Sequence, residues 1–180
     1  PNGAPWMAME FIDVPSARKL QAQIGVGKML LPERVRKIMR DIAEALDAAF
    51  QQQVLHRNVT PDNILLTKDG VAKLGNFSLA RDVSVTTTHD VTSTDETVGD
   101  LAYMAPECME PGQEIDCRAD IYGLGACVYS LLAGRPPFIS RGKVDMIEKV
   151  RFEEPVTPTK YNLSIAAPLE GLILKCLQKH

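Results

Sequence analysis

The chain has 180 residues and a formal net charge of −3, from 20 lysines and arginines against 23 aspartates and glutamates. Apolar residues make up 45% of it and charged residues 24%, a globular composition that excludes an intrinsically disordered chain. Because the chain is mildly acidic and has no run of five basic residues, we expect no nucleic-acid-binding surface. At about 150 residues per domain, its length allows one domain, or one domain and part of another.

The cysteines and the longest apolar stretch indicate a domain with reduced thiols and a buried helix. The four cysteines, at positions 108, 117, 127 and 176, show neither CxxC pairing nor a histidine at zinc-ligand spacing. We therefore expect free thiols rather than a disulfide framework. The apolar stretch from Ala119 to Ala133 is shorter than the roughly 20 residues that a membrane span needs. We expect a buried core helix there and no membrane contact within this chain.

The first elements are a strand and a long amphipathic helix. Residues 7–12 (MAMEFI) have the composition of a short buried strand, which Pro15 would end. Pro32 is suited to the first position of a helix, and Glu33 follows it in the first turn, where the helix dipole favours anions. The apolar positions of this helix trace one face, formed by Val35, Ile38, Met39, Ile42, Leu46, Ala49 and Phe50.

A hairpin and a long polar loop occupy the middle of the chain. The apolar runs 64–66 and 71–74 are separated by the turn Lys68-Asp69-Gly70, which predicts a small β-hairpin within residues 63–74. Residues 82–97 are rich in serine and threonine and have no apolar period. Loops of this length are usually functional or disordered. We expect this one to be mobile or held by a neighbour, and either phosphorylated in trans or simply solvated.

Three helices complete the predicted elements. The strongly apolar helix at about 117–133 is ended by Gly134, with two prolines just beyond it. Two amphipathic helices follow, near 141–150 and 167–178. The fold class is therefore mainly α, with few strands.

Five motifs then occur in a fixed order. They are HRNVTPDN at 56–63, NFS at 76–78, GDLAYMAPE at 99–107, DIYGLG at 120–125 and GRPPF at 134–138. In order and spacing they resemble the catalytic loop, the D-F-G motif, the A-P-E segment, the central helix and the following turn of protein kinases. The resemblance covers nearly the whole chain and is closest to bacterial Ser/Thr kinases.

The resemblance implies a mainly α lobe of an α+β family, namely the kinase-like C-terminal lobe with a small β-hairpin, and with the N-terminal lobe absent. Residues 1–15 would be the end of the N-lobe and the hinge, and residues 16–180 the C-lobe. Within the C-lobe, the catalytic loop would be 56–63, the activation segment 76–107 and the central helix about 117–133. Since only nine residues precede the hinge, we expect a fragment of a longer polypeptide.

The resemblance also assigns residues around a nucleotide. Met9 would be the gatekeeper, and Glu10, Phe11 and Ile12 would form the hinge that contacts adenine. Leu65 would lie beneath the adenine ring.

Other retained residues would be structural in the family. His56 and Phe77 would stack in the hydrophobic spine, with Arg57 following in the same loop. Asp120 would accept hydrogen bonds from the catalytic-loop backbone. Glu107, the glutamate of the A-P-E motif, would lack the arginine with which it pairs in the family.

The residues that carry phosphoryl transfer in the family are changed. Asn58 stands at the position of the catalytic Asp, and a neutral amide cannot accept a proton. Asn76 replaces the metal-chelating Asp, and Thr60 replaces the Lys that steadies the phosphate. Of the usual magnesium ligands only Asn63 is retained, so Asn63 and Asn76 would be weak metal ligands. Together these changes lower the expected turnover by at least roughly five decades. With Ser78 in place of the Gly of D-F-G, the chain departs from the family at four separate positions, which argues against a single engineered substitution.

Asp100 is a further departure, since the family usually has Thr at this position. The family trio of Asp, Lys and Thr sums to zero charge, whereas Asn58, Thr60 and Asp100 sum to −1. The amide of Asn58 can donate to the Asp100 carboxylate, which predicts a latch that holds the activation segment closed. The alternative is that Asp100 acts as a weak surrogate base.

These observations predict a catalytically inactive Ser/Thr-kinase-like domain, a pseudokinase, that acts as a regulatory or protein-interaction module. The alternative is a weak or atypical ATP-dependent Ser/Thr protein kinase whose N-lobe is missing from this chain. We expect no cofactor, and ATP with Mg or Mn only if the full-length parent binds nucleotide. The expected partner is a protein, either an active kinase or the chain's own missing N-lobe. The expected location is cytoplasmic, alone or as the cytoplasmic part of a membrane-anchored bacterial protein.

Overall fold

A computed structural model describes residues 10–13, 15–24, 29–77, 81–82 and 98–179. The helices in these ranges are α1 (Ala17–Ile24), α2 (Pro32–Gln51), α3 (Val98–Leu101), α4 (Cys117–Ala133), α5 (Lys143–Phe152) and α6 (Ala167–Cys176). The strands are β1 (Val54–Leu55), β2 (Ile64–Leu66), β3 (Ala72–Leu74) and β4 (Arg81–Asp82), and short 3₁₀ helices span Pro106–Met109 and Pro158–Lys160. The described residues therefore form the mainly helical lobe that the resemblance implied.

The core lies between α2 and α4. The buried residues of α2 are Val35, Ile38, Ile42 and Leu46, all from the predicted apolar face. Helix α4 is buried on nearly every side, because it is apolar all round and other elements surround it. Asp116 caps its N-terminus by accepting a hydrogen bond from the backbone N–H of Arg118 at 2.8 Å. Gly134 ends it with a left-handed φ of 73°, which confirms the predicted bounds.

Two small antiparallel sheets accompany the helices. In the first, β2 pairs with β3 so that Leu65 lies opposite Lys73, and the hairpin predicted within residues 63–74 is confirmed. In the second, β1 pairs with β4, with Val54 opposite Asp82. The second sheet was not predicted, because two-residue strands carry no readable alternation.

The strand predicted at residues 7–12 is wrong in the part that can be compared. Glu10, Phe11 and Ile12 form no strand, and Phe11 is 86% exposed. No strand of the described residues pairs with this segment, and Glu10 instead binds Lys73, with 2.7 Å between Oε1 and Nζ. Residues 7–9 and most of the 82–97 loop lie outside the described residues, so the prediction of a mobile loop stays a prediction.

The remaining predictions concern the last two helices, the thiols and the membrane. Helices α5 and α6 occur where amphipathic patterns predicted them, with α6 ending at Cys176. All four cysteines are free, and Cys127 is fully buried within α4. Within the described ranges, no helix has the length and apolar character that crossing a membrane requires.

A glycine sets the distance between α4 and α6. A Cβ atom on Gly125 would lie 2.5 Å from the Cβ of Cys176, closer than two such atoms approach. The absence of a side chain at this position therefore lets the two helices pack as closely as they do.

We expect Gly125→Ala to lower the free energy of unfolding by about 1–3 kcal/mol, because the added methyl group forces the helices apart. The matched control is Gly171→Ala in α6, where an added Cβ meets nothing within 4 Å. Alanine there is expected to be neutral or to stabilise the helix by up to about 1 kcal/mol. Urea unfolding of both variants measures the difference, and equal midpoints would contradict the packing role of Gly125.

Candidate functional site

A buried carboxylate holds the loop at residues 56–63. Asp120 lies in the first turn of α4, only 5% exposed. Its two oxygens accept hydrogen bonds from the backbone N–H groups of His56 at 2.8 Å and Arg57 at 2.7 Å. Burial raises the pKa of Asp120, and these two hydrogen bonds oppose the shift. Arg57 has a left-handed φ of 61°, which costs energy for a non-glycine residue, so the carboxylate stabilises a strained turn.

His56 connects this loop to the start of the activation segment. Its Nδ1 accepts a hydrogen bond from the backbone N–H of Asn58 at 3.3 Å, and its Nε2 lies 3.0 Å from the carbonyl oxygen of Gly75. A neutral ring with its proton on Nε2 satisfies both contacts, and burial lowers the pKa of His56, which favours that form. The ring of Phe77 meets His56 edge-on, with 4.6 Å between centroids.

Three asparagines stand where the family has its chemical groups. The Asn63 side-chain N–H donates to the backbone carbonyl of Asn58 at 2.8 Å. The Asn76 side-chain N–H in turn donates to Oδ1 of Asn63 at 3.3 Å. The backbone N–H of Gly75 also donates to the Asn63 carbonyl at 2.9 Å. The structure therefore joins Asn58, Asn63 and Asn76 in an uncharged hydrogen-bonded chain, which we call the asparagine chain.

The asparagine chain does not fit a magnesium ion. Mg²⁺ prefers carboxylate and phosphate oxygens and loses its water reluctantly. Here both expected ligands, Asn63 and Asn76, are amides, and Oδ1 of Asn63 already accepts the hydrogen bond from Asn76. Across the described residues, no cluster of three or more His, Cys, Asp or Glu side chains has metal-binding geometry. No catalytic step through a metal follows from these residues.

Thr60 lies inside the loop rather than facing a phosphate. Its side chain is 6% exposed, and its carbonyl accepts the backbone N–H of Asn63 at 3.0 Å. A threonine at this position carries no charge, so it cannot do what the family's lysine does for a transferring phosphate.

Asp100 has a different neighbour from the predicted one. It lies in α3, and its Oδ1 is 3.7 Å from Nη2 of Arg18 in α1. No hydrogen bond joins Asn58 to Asp100 among the described residues, so the predicted partner in the latch is wrong. The Asp100 carboxylate instead faces Arg18. Arg18 also forms an ion pair with Asp62 of the catalytic loop. Arg18 was not among the predicted site residues, because α1 was not predicted.

The residues assigned to adenine are only partly described. Met9 lies outside the described residues, Ile12 is half-buried and Phe11 is exposed. Lys73 binds Glu10 and lies opposite Leu65 in the hairpin register. Through Lys73, the Glu10 side chain therefore lies beside the hairpin that carries Leu65.

Glu107 lies in a cleft of about 210 Å³ between the 3₁₀ helix Pro106–Met109 and the end of the chain. Within the described residues it forms no ion pair closer than 4.0 Å. The two arginines that line the cleft pair with other carboxylates: Arg118 with Asp116 at 2.9 Å, and Arg151 with Glu110. Nearby, the hydroxyl of Tyr122 is buried without a described hydrogen-bond partner, and burial raises its pKa, with Glu107 adding to the shift.

A helical lobe with this loop, this buried carboxylate and this His–Phe contact defines a domain of the kinase-like class. The chain matches the family model described as "Protein kinase domain" over residues 2–180 and belongs to that family.

Three of the curated relatives that the chain matches come from bacteria. The chain is 33% identical to the serine/threonine-protein kinase PknB of Mycolicibacterium smegmatis over 181 residues, which are 100% of this chain and 28% of that protein. It is 32% identical to the probable serine/threonine-protein kinase SCO3848 of Streptomyces coelicolor over 178 residues, 97% of this chain and 25% of the relative. It is 30% identical to PknB of Mycobacterium tuberculosis over 176 residues, 98% and 27% of the two chains. The chain thus spans about a quarter of the length of these relatives.

We expect Asp120→Ala to lower the free energy of unfolding by about 2–4 kcal/mol, because it leaves two backbone N–H groups of the loop without an acceptor. Asp120→Asn keeps an acceptor oxygen and should cost less. Asp145→Ala, at an exposed carboxylate of α5 paired with Lys149, is the control and should cost less than either change at Asp120, because exposed ion pairs contribute little to stability. Chemical unfolding monitored by circular dichroism checks the order Ala, then Asn, then control, and an Asp120→Ala variant as stable as the control would contradict the anchoring role.

Proposed function

We propose that this chain is the C-terminal lobe of a Ser/Thr pseudokinase, a kinase-family domain that has lost phosphoryl transfer and acts as a regulatory or protein-interaction module. The observation that carries the proposal is the asparagine chain. In it, amides occupy both positions where the family uses carboxylates at the phosphates. The side chain of Asn63 joins the two positions, because it accepts a hydrogen bond from the Asn76 amide and donates one to the Asn58 backbone carbonyl. We divide the chain into a hinge segment at 1–15 and the lobe at 16–180.

The chemical case rests on what an amide cannot do. Asn58 accepts no proton, so the substrate hydroxyl has no base at the family position, and losing a general base costs about 10²–10⁴ in rate. Asn76 supplies no negative charge to a metal, and losing metal-based stabilisation costs several kcal/mol, at roughly 1.4 kcal/mol for each tenfold in rate. Thr60 leaves the transferring phosphate without its cation.

The proposed role is binding, because the scaffold is intact where the chemistry is not. Asp120, His56 and Phe77 keep the contacts that hold the loop and the start of the activation segment together. The catalytic loop and residues 75–77 therefore keep their mutual contacts without the family's reactive groups. We propose a protein as its partner, either an active kinase or an N-lobe, and we propose that the domain works in the cytoplasm, where its free thiols stay reduced.

A second candidate is a weak or atypical ATP-dependent Ser/Thr kinase. It is favoured by the names of the relatives, which are Ser/Thr kinases, and by the retained geometry at Asn63 and Asp120. Under this reading ATP with Mg or Mn would bind the full-length protein, and Asp100 would be the residue left to act as a weak base.

We expect no transfer of radiolabelled phosphate from ATP to a generic Ser/Thr protein substrate above a no-protein control. Neither Asn58→Asp nor Asn76→Asp alone should restore it, because one returns a base without a metal site and the other a metal ligand without a base. Even the double variant should stay poor, since Thr60 remains. Transfer by the unmodified protein would falsify the pseudokinase proposal and favour the second candidate.

We expect Mg²⁺ and Mn²⁺, with or without ATP, to leave the melting temperature of the unmodified protein unchanged, because a ligand stabilises only a folded state that binds it. Asn76→Asp returns one carboxylate and should produce a metal-dependent rise. The matched control is Asn76→Asp combined with Asn63→Ala, which removes the remaining amide ligand and should abolish that rise. Thermal-shift titration measures all three. A metal-dependent rise in the unmodified protein would contradict the claim that the asparagine chain binds no metal.

A further inference from the structure

One arginine of α1 reaches two other segments of the lobe. The Arg18 guanidinium forms an ion pair with Asp62 of the catalytic loop, and its Nη2 lies 3.7 Å from Oδ1 of Asp100 in α3. It also lies over the ring of Tyr103, 5.4 Å from the centroid. One cation thus contacts the catalytic loop on one side and the end of the activation segment on the other.

Hydrogen bonds to the catalytic loop and to α4 fix the position of the helix that carries Arg18. The backbone N–H of Arg18 donates to the carbonyl of Pro61 at 3.1 Å. One turn further along α1, the Gln21 side-chain N–H donates to the carbonyl of Ser130 in α4 at 2.7 Å. The hydroxyl of Tyr103 donates to that of Ser130 at 3.2 Å. Because α1 and the segment around Tyr103 both rest on Ser130, the guanidinium has a defined place between the two carboxylates.

The charges explain why a cation is needed there. Asparagine replaces the aspartate of the family trio, threonine its lysine and aspartate its threonine, so Asn58, Thr60 and Asp100 sum to −1. Asp62 adds a second negative charge beside them. Asp62 and Asp100 carry like charges at the junction of two segments, and the Arg18 guanidinium contacts both of them.

We propose that Arg18 is a positioning residue that clamps residues 98–103 of the activation segment to the catalytic loop, in place of the missing lysine and threonine. The clamp goes beyond the proposed function, because it depends on ionic contacts and not on whether the site transfers phosphate. Its failure would leave the pseudokinase proposal untouched, and phosphate transfer would leave the clamp untouched.

Hydrogen exchange of the full chain tests the clamp at defined amides. The backbone N–H groups of Tyr103 and Met104 donate to the carbonyls of Asp100 and Leu101 at 3.0 and 3.2 Å. We expect Arg18→Gln to speed their exchange about three- to tenfold, the size of effect expected for partly exposed ion pairs combined with a cation–π contact. Added salt should speed exchange in the unmodified protein and have little further effect in the variant.

Two further variants separate a clamp from a general loss of stability. Arg18→Lys keeps the charge with one donor group and should restore part of the protection. Asp100→Asn removes the other side of the contact and leaves α1 unchanged, so its effect should not add to that of Arg18→Gln. The control is Arg36→Gln, at an exposed arginine of α2 that pairs only with Glu33 among the described residues, and it should change nothing at Tyr103.

Three outcomes would overturn the proposal. One is exchange at Tyr103 and Met104 that stays within twofold of the unmodified protein in Arg18→Gln. Another is acceleration in that variant that is equally large at the amides of α4, which would show a global effect. The third is fully additive effects of Arg18→Gln and Asp100→Asn. If Arg18→Gln does not fold, Arg18→Lys and Asp100→Asn decide the matter. The clamp is also rejected if Asp100→Asn leaves both the exchange rates of the Tyr103 and Met104 amides and their sensitivity to salt unchanged.

Discussion

The two hydrogen bonds that the Asp120 carboxylate accepts are the constraint on which the site depends. They join the first turn of the central helix to the backbone of His56 and Arg57, and they do so where the carboxylate is almost inaccessible to water. A buried charge is tolerated only when its oxygens are satisfied. From this anchor His56 reaches Gly75 and Phe77, so the loop, the hairpin and the start of the activation segment share one support.

The site separates support from chemistry. Asp120, His56 and Phe77 hold the backbone and are present, whereas the groups that would move a proton or carry charge at a phosphate are replaced by Asn58, Asn76 and Thr60. Selection for the fold alone has no reason to retain a general base, but it does need the anchor, because the left-handed Arg57 turn is strained without it. This division is what the proposed binding role would need.

Long periodic elements were predictable from the sequence, and contacts between segments were not. Helix α2 was predictable from its apolar face and from Pro32 at its start, and helix α4 from its continuous apolar run and the terminating Gly134. The hairpin was predictable from its turn. Helix α1 has only eight residues and no acidic residue in its first turn, so it was not predicted and Arg18 was missed with it. The strand predicted at 7–12 is absent at residues 10–12, the part that the structure describes, because apolar composition cannot show whether a pairing strand is adjacent. Asn58 was predicted as the partner of Asp100 where the structure has Arg18, because a sequence shows which residues can donate a hydrogen bond but not how far apart they lie.

Replacing carboxylates by amides also changes what the site needs in order to be stable. Carboxylates at positions 58 and 76 would add negative charge beside Asn63, and such groups repel unless a cation lies between them. An amide both donates and accepts, so Asn63 can receive Asn76 and still donate to the Asn58 backbone. The centre of the site is thereby satisfied without any ion. Negative charge is present nearby at Asp62 and Asp100, and both carboxylates are contacted by the Arg18 guanidinium of α1.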